Sequence, residues 1–164
     1  MSYWVFKCKR TQYKLDERLD DGENQLTWLV TKHETQIKRG DVVFLAQTTL
    51  LKKTCVSLNI PSSPKPGIRA VFKLQSEPIW MKIPEADAQY WYEPPTDEAF
   101  RVKGVLTQRL NFISYDVLKS TSGLADLSIF SGKGRFNQGT NFPIKDCEGP
   151  ILMDLAKKYV LPKL

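Results

Sequence analysis

The chain has 164 residues, 41% of them apolar and 26% charged, and a formal net charge of +6. That length suits one domain, 1–164, with a substantial core, and no apolar run approaches the roughly 18 residues that a membrane span needs. Met1 to Lys7 runs straight into a strand-like pattern, so no signal or transit segment is expected. The odd, widely spaced Cys8, Cys55 and Cys147 argue for reduced thiols in a cytoplasmic setting.

Residues 3–8 read as a strand by their aromatic and β-branched content. Leu15 and Leu19, four apart, allow a short helix from Tyr13 to Leu19. Trp28–Val30 is a second short strand, and VVFLA at 42–46 is a buried one entered by the Gly40-Asp41 turn. Residues 49–66 are polar, end in Pro61, Pro64 and Pro66, and read as a long loop or insertion. GIRAVFKL at 67–74 alternates Ile68, Ala70, Phe72 and Leu74 with Arg69, Val71 and Lys73, which predicts one core face and one wet, basic face.

Residues 76–99 mix prolines and acids with Trp80, Tyr90, Trp91 and Tyr92. The stretch reads as an ordered loop, because disordered segments rarely hold so many aromatics. Phe100–Leu110 is another strand, and Ser114 can cap a helix over 115–120 with Asp116 in its first turn. SGKGRFNQGTN at 131–141 is a glycine-rich loop with two cations. Pro143 then leads into a terminal helix over 146–159, with Ile151, Leu152, Leu155 and Tyr159 at helical spacing. Five or six strands with short helices give an α+β fold on a curved or barrel-like sheet.

Charge is unevenly spread. Residues 101–145 carry seven cations against Asp116 and Asp126, whereas 76–100 carry Lys82 alone against six acids. Such polarity suggests one face for a polyanion and another that avoids it; a basic pI without any acidic partner is the plainer reading. The residues that catalysis needs are scarce. His33 stands alone, and the cysteines lack paired metal-ligand spacing. No lysine has an acid two residues before it, and no G-K-[ST] occurs in the glycine-rich loop. No catalytic residue, metal or cofactor is expected.

What remains is aromatics and cations. Trp28, Trp80, Trp91 and Tyr92 offer flat apolar faces, and Lys7, Lys9, Lys32, Arg69, Lys133 and Arg135 can hold phosphates. Stacking an unpaired base on an aromatic contributes about 1–3 kcal/mol. Plain core packing is the alternative for each tryptophan, and for Trp4, between Tyr3 and Phe6, it is the better one.

YWVFKCK (3–9), WLVTKHETQIKRGDVVFLAQT (28–48), GIRAVFKLQSEPIW (67–80) and GTNFPI (139–144) occur in an order that resembles the EVE domain, a branch of the PUA-like superfamily. The 49–66 stretch and the acidic 81–99 segment depart from that pattern. The resemblance implies a strongly curved β-barrel flanked by short helices, with a pocket related to that of YTH domains, which read methylated adenine in RNA. EVE relatives occur as modified-base readers in restriction systems and in RNA-associated proteins. By that likeness Trp28 is the first wall of an aromatic cage, Trp80 the second, and Trp91 or Tyr92 a third. Lys7 contacts phosphate, Lys133 and Arg135 come from the basic loop, and Asn141 lies near the opening with Lys32.

The leading reading is therefore a non-catalytic module that binds DNA or RNA and reads a flipped or single-stranded methylated base. Proteins of a restriction or RNA-processing system are its possible companions. The alternatives are an enzyme acting on nucleic acid or nucleotides through Cys or Asp in the cleft, and a protein-interaction module using the Trp/Tyr/Pro stretch 78–95.

Overall fold

The computed structural model describes residues 1–10, 12–48, 66–130 and 141–162. The loop read at 49–66, apart from Pro66, and the stretch holding Lys133 and Arg135 lie outside the described residues. Those described form seven strands: β1 Tyr3–Cys8, β2 Gln25–Leu29, β3 Val42–Gln47, β4 Gly67–Leu74, β5 Ile79–Met81, β6 Ala99–Ser114 and β7 Asn141–Ile144. Three short helices accompany them: α1 Leu15–Asp20, α2 Tyr115–Ser120 and α3 Glu148–Lys157. The strands make one mixed sheet in the order β2-β6-β4-β3-β1-β7, with β5 also paired to β6. Only β1 and β3 run parallel, Tyr3 opposite Val42; the other pairings are antiparallel.

The central strand shows why the sheet needs cover on both sides. Every residue of β3 is buried, and alternate side chains point to opposite faces. Val43 and Leu45 join a core with Trp4, Phe6, Phe72, Trp28 and Val102. Val42, Phe44 and Ala46 join a second core with Leu118 of α2 and Leu152 and Ala156 of α3. Burying each large apolar side chain contributes about 1.5–3 kcal/mol, so both cores stabilise the fold, the second one through the cover that the helices give it. Gly149 lets α3 settle directly on β1, since a Cβ there would collide with the Tyr3 ring.

Several local expectations shift. The basic, wet face of 67–74 is not solvated: Val71 is buried in the second core, Arg69 pairs with Asp16 at 2.9 Å, and only Lys73 is exposed. The segment 76–99 is more than a loop, because it contains β5 and a 3-10 turn at Glu85–Tyr90. β2 begins three residues earlier than Trp28, and the last helix is shorter at both ends than 146–159. The Ser114 cap is as expected, its hydroxyl accepting from the Val117 N–H at 3.2 Å.

The backbone ladder among the described residues does not join β2 to β7, the two ends of the sheet. A side chain does. Asn141, at the start of β7, is buried; its Oδ1 accepts from the Thr31 N–H at 2.8 Å and the Lys32 N–H at 3.4 Å, and its Nδ2 donates to the Leu29 carbonyl at 3.2 Å. The sheet's two edges therefore meet across one amide.

Candidate functional site

A cavity of about 100 Å³ opens beside that seam. The end of β1 supplies Lys7, Cys8 and Lys9, β2 supplies Thr27, Trp28 and Leu29, and Thr31 follows. Gln12, Tyr13 and Trp91 complete it. Its surface is mostly apolar, which suits a flat ring better than a hydrated ion.

Three aromatic rings organise it. Tyr13 lies edge-on to both Trp28 and Trp91, with each pair of ring centroids 5.2 Å apart, an arrangement aromatic pairs favour. Backbone contacts bring Trp91 there: Tyr13 and Trp91 form an isolated bridge, Lys14 N–H donates to the Tyr90 carbonyl at 2.7 Å, and Tyr92 N–H donates to Gln12 at 3.1 Å. Asp87, nearly buried, then fixes the rings. It accepts from the Tyr13 hydroxyl at 2.8 Å and from Trp91 Nε1 at 3.3 Å. Burial, followed by the Asp87 charge, pushes the Tyr13 hydroxyl far above its ordinary pKa, so it stays a donor.

Lys7 and Lys9 both line the cavity. Lys7 is only 4% exposed, its Nζ lies 4.5 Å from the centroid of the Phe142 ring of the second core, and desolvation lowers its pKa to about 8. Lys9 is exposed at the rim; Lys32, next in sequence to the lining Thr31, is exposed and held by its backbone to Asn141. Cys8 is buried, and burial pushes its thiol well above the usual range, which disfavours a thiolate. Among the described residues no cluster of three or more His, Cys, Asp or Glu is arranged to hold a metal.

The expected site residues thus separate into groups. Trp28, Trp91 and Lys7 line one cavity, and Asn141 anchors the backbone that follows its β2 wall. Trp28 is 7% exposed and belongs to the core as well, so wall and core packing are not exclusive roles. Tyr92 lines an adjoining cavity of about 460 Å³ that shares Gln12, Leu29 and Trp91 with the first. Trp80 is placed elsewhere: it is 58% exposed, packs edge-on to Phe100 and donates Nε1 to Glu98 at 3.0 Å. The reason is the sheet order. Arg101 of β6 pairs with Leu29 of β2 on one side and with Ile79 of β5 on the other, so Trp80 lies across β6 from Trp28. Sequence reading missed Tyr13 and Asp87 as organisers of the site; they are separated by 74 positions, and no local spacing links them.

Neither a family model nor a curated protein sequence matches this chain. Solved structures do. A hypothetical protein from Leishmania major superposes with a TM-score of 0.60 at 13% identity, covering 96% of each chain. A protein from Rhodopseudomonas palustris, solved by NMR, gives 0.59 at 14% identity, covering 96% of this chain and 94% of that one. Human THYN1, crystallised with DNA containing 5-methylcytosine, gives 0.57 at 14% identity, covering 96% of this chain and 98% of that one. The chain shares its fold with these proteins.

Proposed function

We propose that this chain is an EVE-type, PUA-like module that binds nucleic acid without catalysing a reaction on it, and that it reads a methylated base in the cavity walled by Trp28, Tyr13 and Trp91. The observation that carries the reading is the conjunction of that apolar, aromatic cavity with a nearly buried Lys7. The fold shared with human THYN1, whose structure contains 5-methylcytosine DNA, supports it.

The physical logic favours a modified base. An extruded base costs a few kcal/mol to leave a duplex and less to leave a single strand, while stacking on an aromatic returns about 1–3 kcal/mol. A methyl group entering an apolar cavity adds about 0.8 kcal/mol, or roughly fourfold in affinity. Lys7, an ammonium in low dielectric, meets the acceptor atoms of the nucleotide, and Lys9 and Lys32 meet its phosphates. An enzyme acting through a thiolate is disfavoured by the neutral, buried Cys8.

The deciding experiment is a binding panel of single- and double-stranded DNA and RNA carrying 5-methylcytosine, N6-methyladenine or no modification. One methylated strand should bind at least about fourfold more tightly than its plain counterpart. Equal binding of all methylated and plain strands would remove the base-reading function. Long incubation of the same strands with magnesium or manganese should leave them intact; cleavage abolished by a single substitution at the cavity would replace the binding module with an enzyme.

A further inference from the structure

The adjoining cavity contains a feature that neither the core nor the first cavity explains. Arg101 lines it and is only 3% exposed. Its backbone is flanked on both sides, by Leu29 and Ile79, which holds the side chain in the sheet rather than at its edge. Among the described residues its guanidinium has no ion pair, and its buried Nε has no hydrogen-bond partner. Burial lowers its pKa, with the charge of Asp87 pulling the other way. A buried cation with unmet donors is costly to a fold, and it calls for an acceptor.

The rim narrows the choice of acceptor. Glu93, Asp97 and Glu98 also line the cavity, Glu98 already accepting from Trp80 Nε1 at 3.0 Å, and Trp91 is the wall it shares with the first. Three carboxylates repel a phosphate, so the acceptor must belong to a group that also presents donors, for which Glu93 and Asp97 are the two acids left. Guanine does this. Its O6 and N7 match the two-pronged guanidinium, the commonest base-specific contact of arginine, while its N1–H and N2–H2 face carboxylate acceptors. Adenine sets an amino donor beside N7, against the guanidinium, and cytosine offers a single amino group to the two acids. We propose that this second cavity takes the unmodified base next to the methylated one, that this base is guanine, and that Arg101 selects it across the Trp91 partition. The inference rests on the first cavity being a base pocket.

The test is a context panel: the preferred methylated strand with each of the four bases on either side of the modification, bound to the wild-type chain and to Arg101→Met. A guanine neighbour on one side should bind about tenfold to a hundredfold more tightly than the others. Arg101→Met should abolish that preference while keeping discrimination for the methyl group, and its melting temperature should hold or rise because an unpaired buried charge is gone. If methyl discrimination stands while the neighbour has no effect, or is cytosine, the guanine assignment is overturned and the first cavity's reading survives. If methyl discrimination itself is missing, quenching of tryptophan fluorescence by free nucleosides decides the matter. Quenching by guanosine above adenosine and cytidine, lost in Arg101→Met, sustains the guanine cavity. Uniform quenching overturns it, as does quenching by a peptide with a free C-terminal carboxylate and not by guanosine. Should Arg101→Met fail to fold, the wild-type panel alone carries these outcomes.

Discussion

Lys7 shows how one buried charge links stability to binding. Its pKa falls from an ordinary 10.5 to about 8 because its ammonium is desolvated. Between those values the unfolded chain holds a proton that the folded chain has released, so this residue makes stability rise with pH across that window. Binding runs the other way. A nucleotide acceptor favours the charged ammonium, so above pH 8 each binding event must take up a proton, and affinity should drop toward tenfold per pH unit. Titrations at pH 7, 8 and 9 should show this loss for the parent and a flat profile for Lys7→Met; parallel profiles would detach Lys7 from the ligand. The tryptophans divide in the same residue-by-residue way. Trp91 is half-buried on the partition, so Trp91→Ala should lose about 1–3 kcal/mol of binding with little change in melting. Trp4, whose Nε1 donates to the buried Asp41 at 3.0 Å, should behave oppositely, with about 3–5 kcal/mol lost from stability on truncation to Ala. Trp28→Ala should show both effects, since that ring is core and wall together. Trp80→Ala should leave affinity nearly unchanged; a loss as large as that of Trp91→Ala would bring Trp80 back into the base-binding surface.

At the scale of elements, the seam held by Asn141 sets the shape of the cavity. Removing its amide takes away an acceptor of the Thr31 N–H and a donor to the Leu29 carbonyl. Thr31 is exposed, so water replaces part of the loss, and each such hydrogen bond contributes about 0.5–1.5 kcal/mol. Asn141→Ala should therefore lower stability by that order and speed amide exchange at Thr31 and Lys32, with weaker binding as a consequence. Exchange unchanged at those two amides would mean that the seam holds without the side chain. The same seam marks where sequence ceases to be legible. Elements whose signals are local were readable: the aromatic strand at 3–8, the uniformly apolar 42–46, and the Ser114 cap. Elements imposed from a distance were not. β5 has only three residues, and its ladder is dictated by β6 rather than by its own composition. The alternation in 67–74 suggested a wet face because nothing local announces that α2 and α3 will cover it. Arg101 counts in the sequence only as one of the seven cations of 101–145, and nothing local announces that two neighbouring strands bury it. Among the expected site residues, those brought together depend on strand ends meeting at the seam, whereas Trp80 sits on a strand that the sheet order sends to the other side of β6.

Over the whole molecule, the uneven charge acquires a geometry. The acid-rich 76–100 stretch supplies Glu93, Asp97 and Glu98 to the second cavity, while Lys7 and Lys9 stand at the first. A strand that enters the first cavity by its base and passes Lys9 and Lys32 by its phosphates would meet repulsion if its backbone ran over the acids, so the acids orient the strand as the lysines attract it. Phosphate neutralisation releases counterions, and each contact contributes about −0.7 to −0.9 to the slope of log affinity against log salt. Changing Lys9 and Lys32 together to Gln should therefore flatten that slope by roughly 1.5 units and weaken methylated and plain strands alike, because phosphates carry no sequence information. Lys133 and Arg135, which the sequence supplies ahead of GTNFP, should flatten it by roughly 1–2 units when changed together to Ala. The control is Trp91→Ala, which should reduce affinity and leave the slope untouched, since stacking displaces no counterions. A slope that stays the same in both charge variants would make these four cations a solvated surface. A slope that changes only for methylated strands would mean that they touch the base and not the backbone.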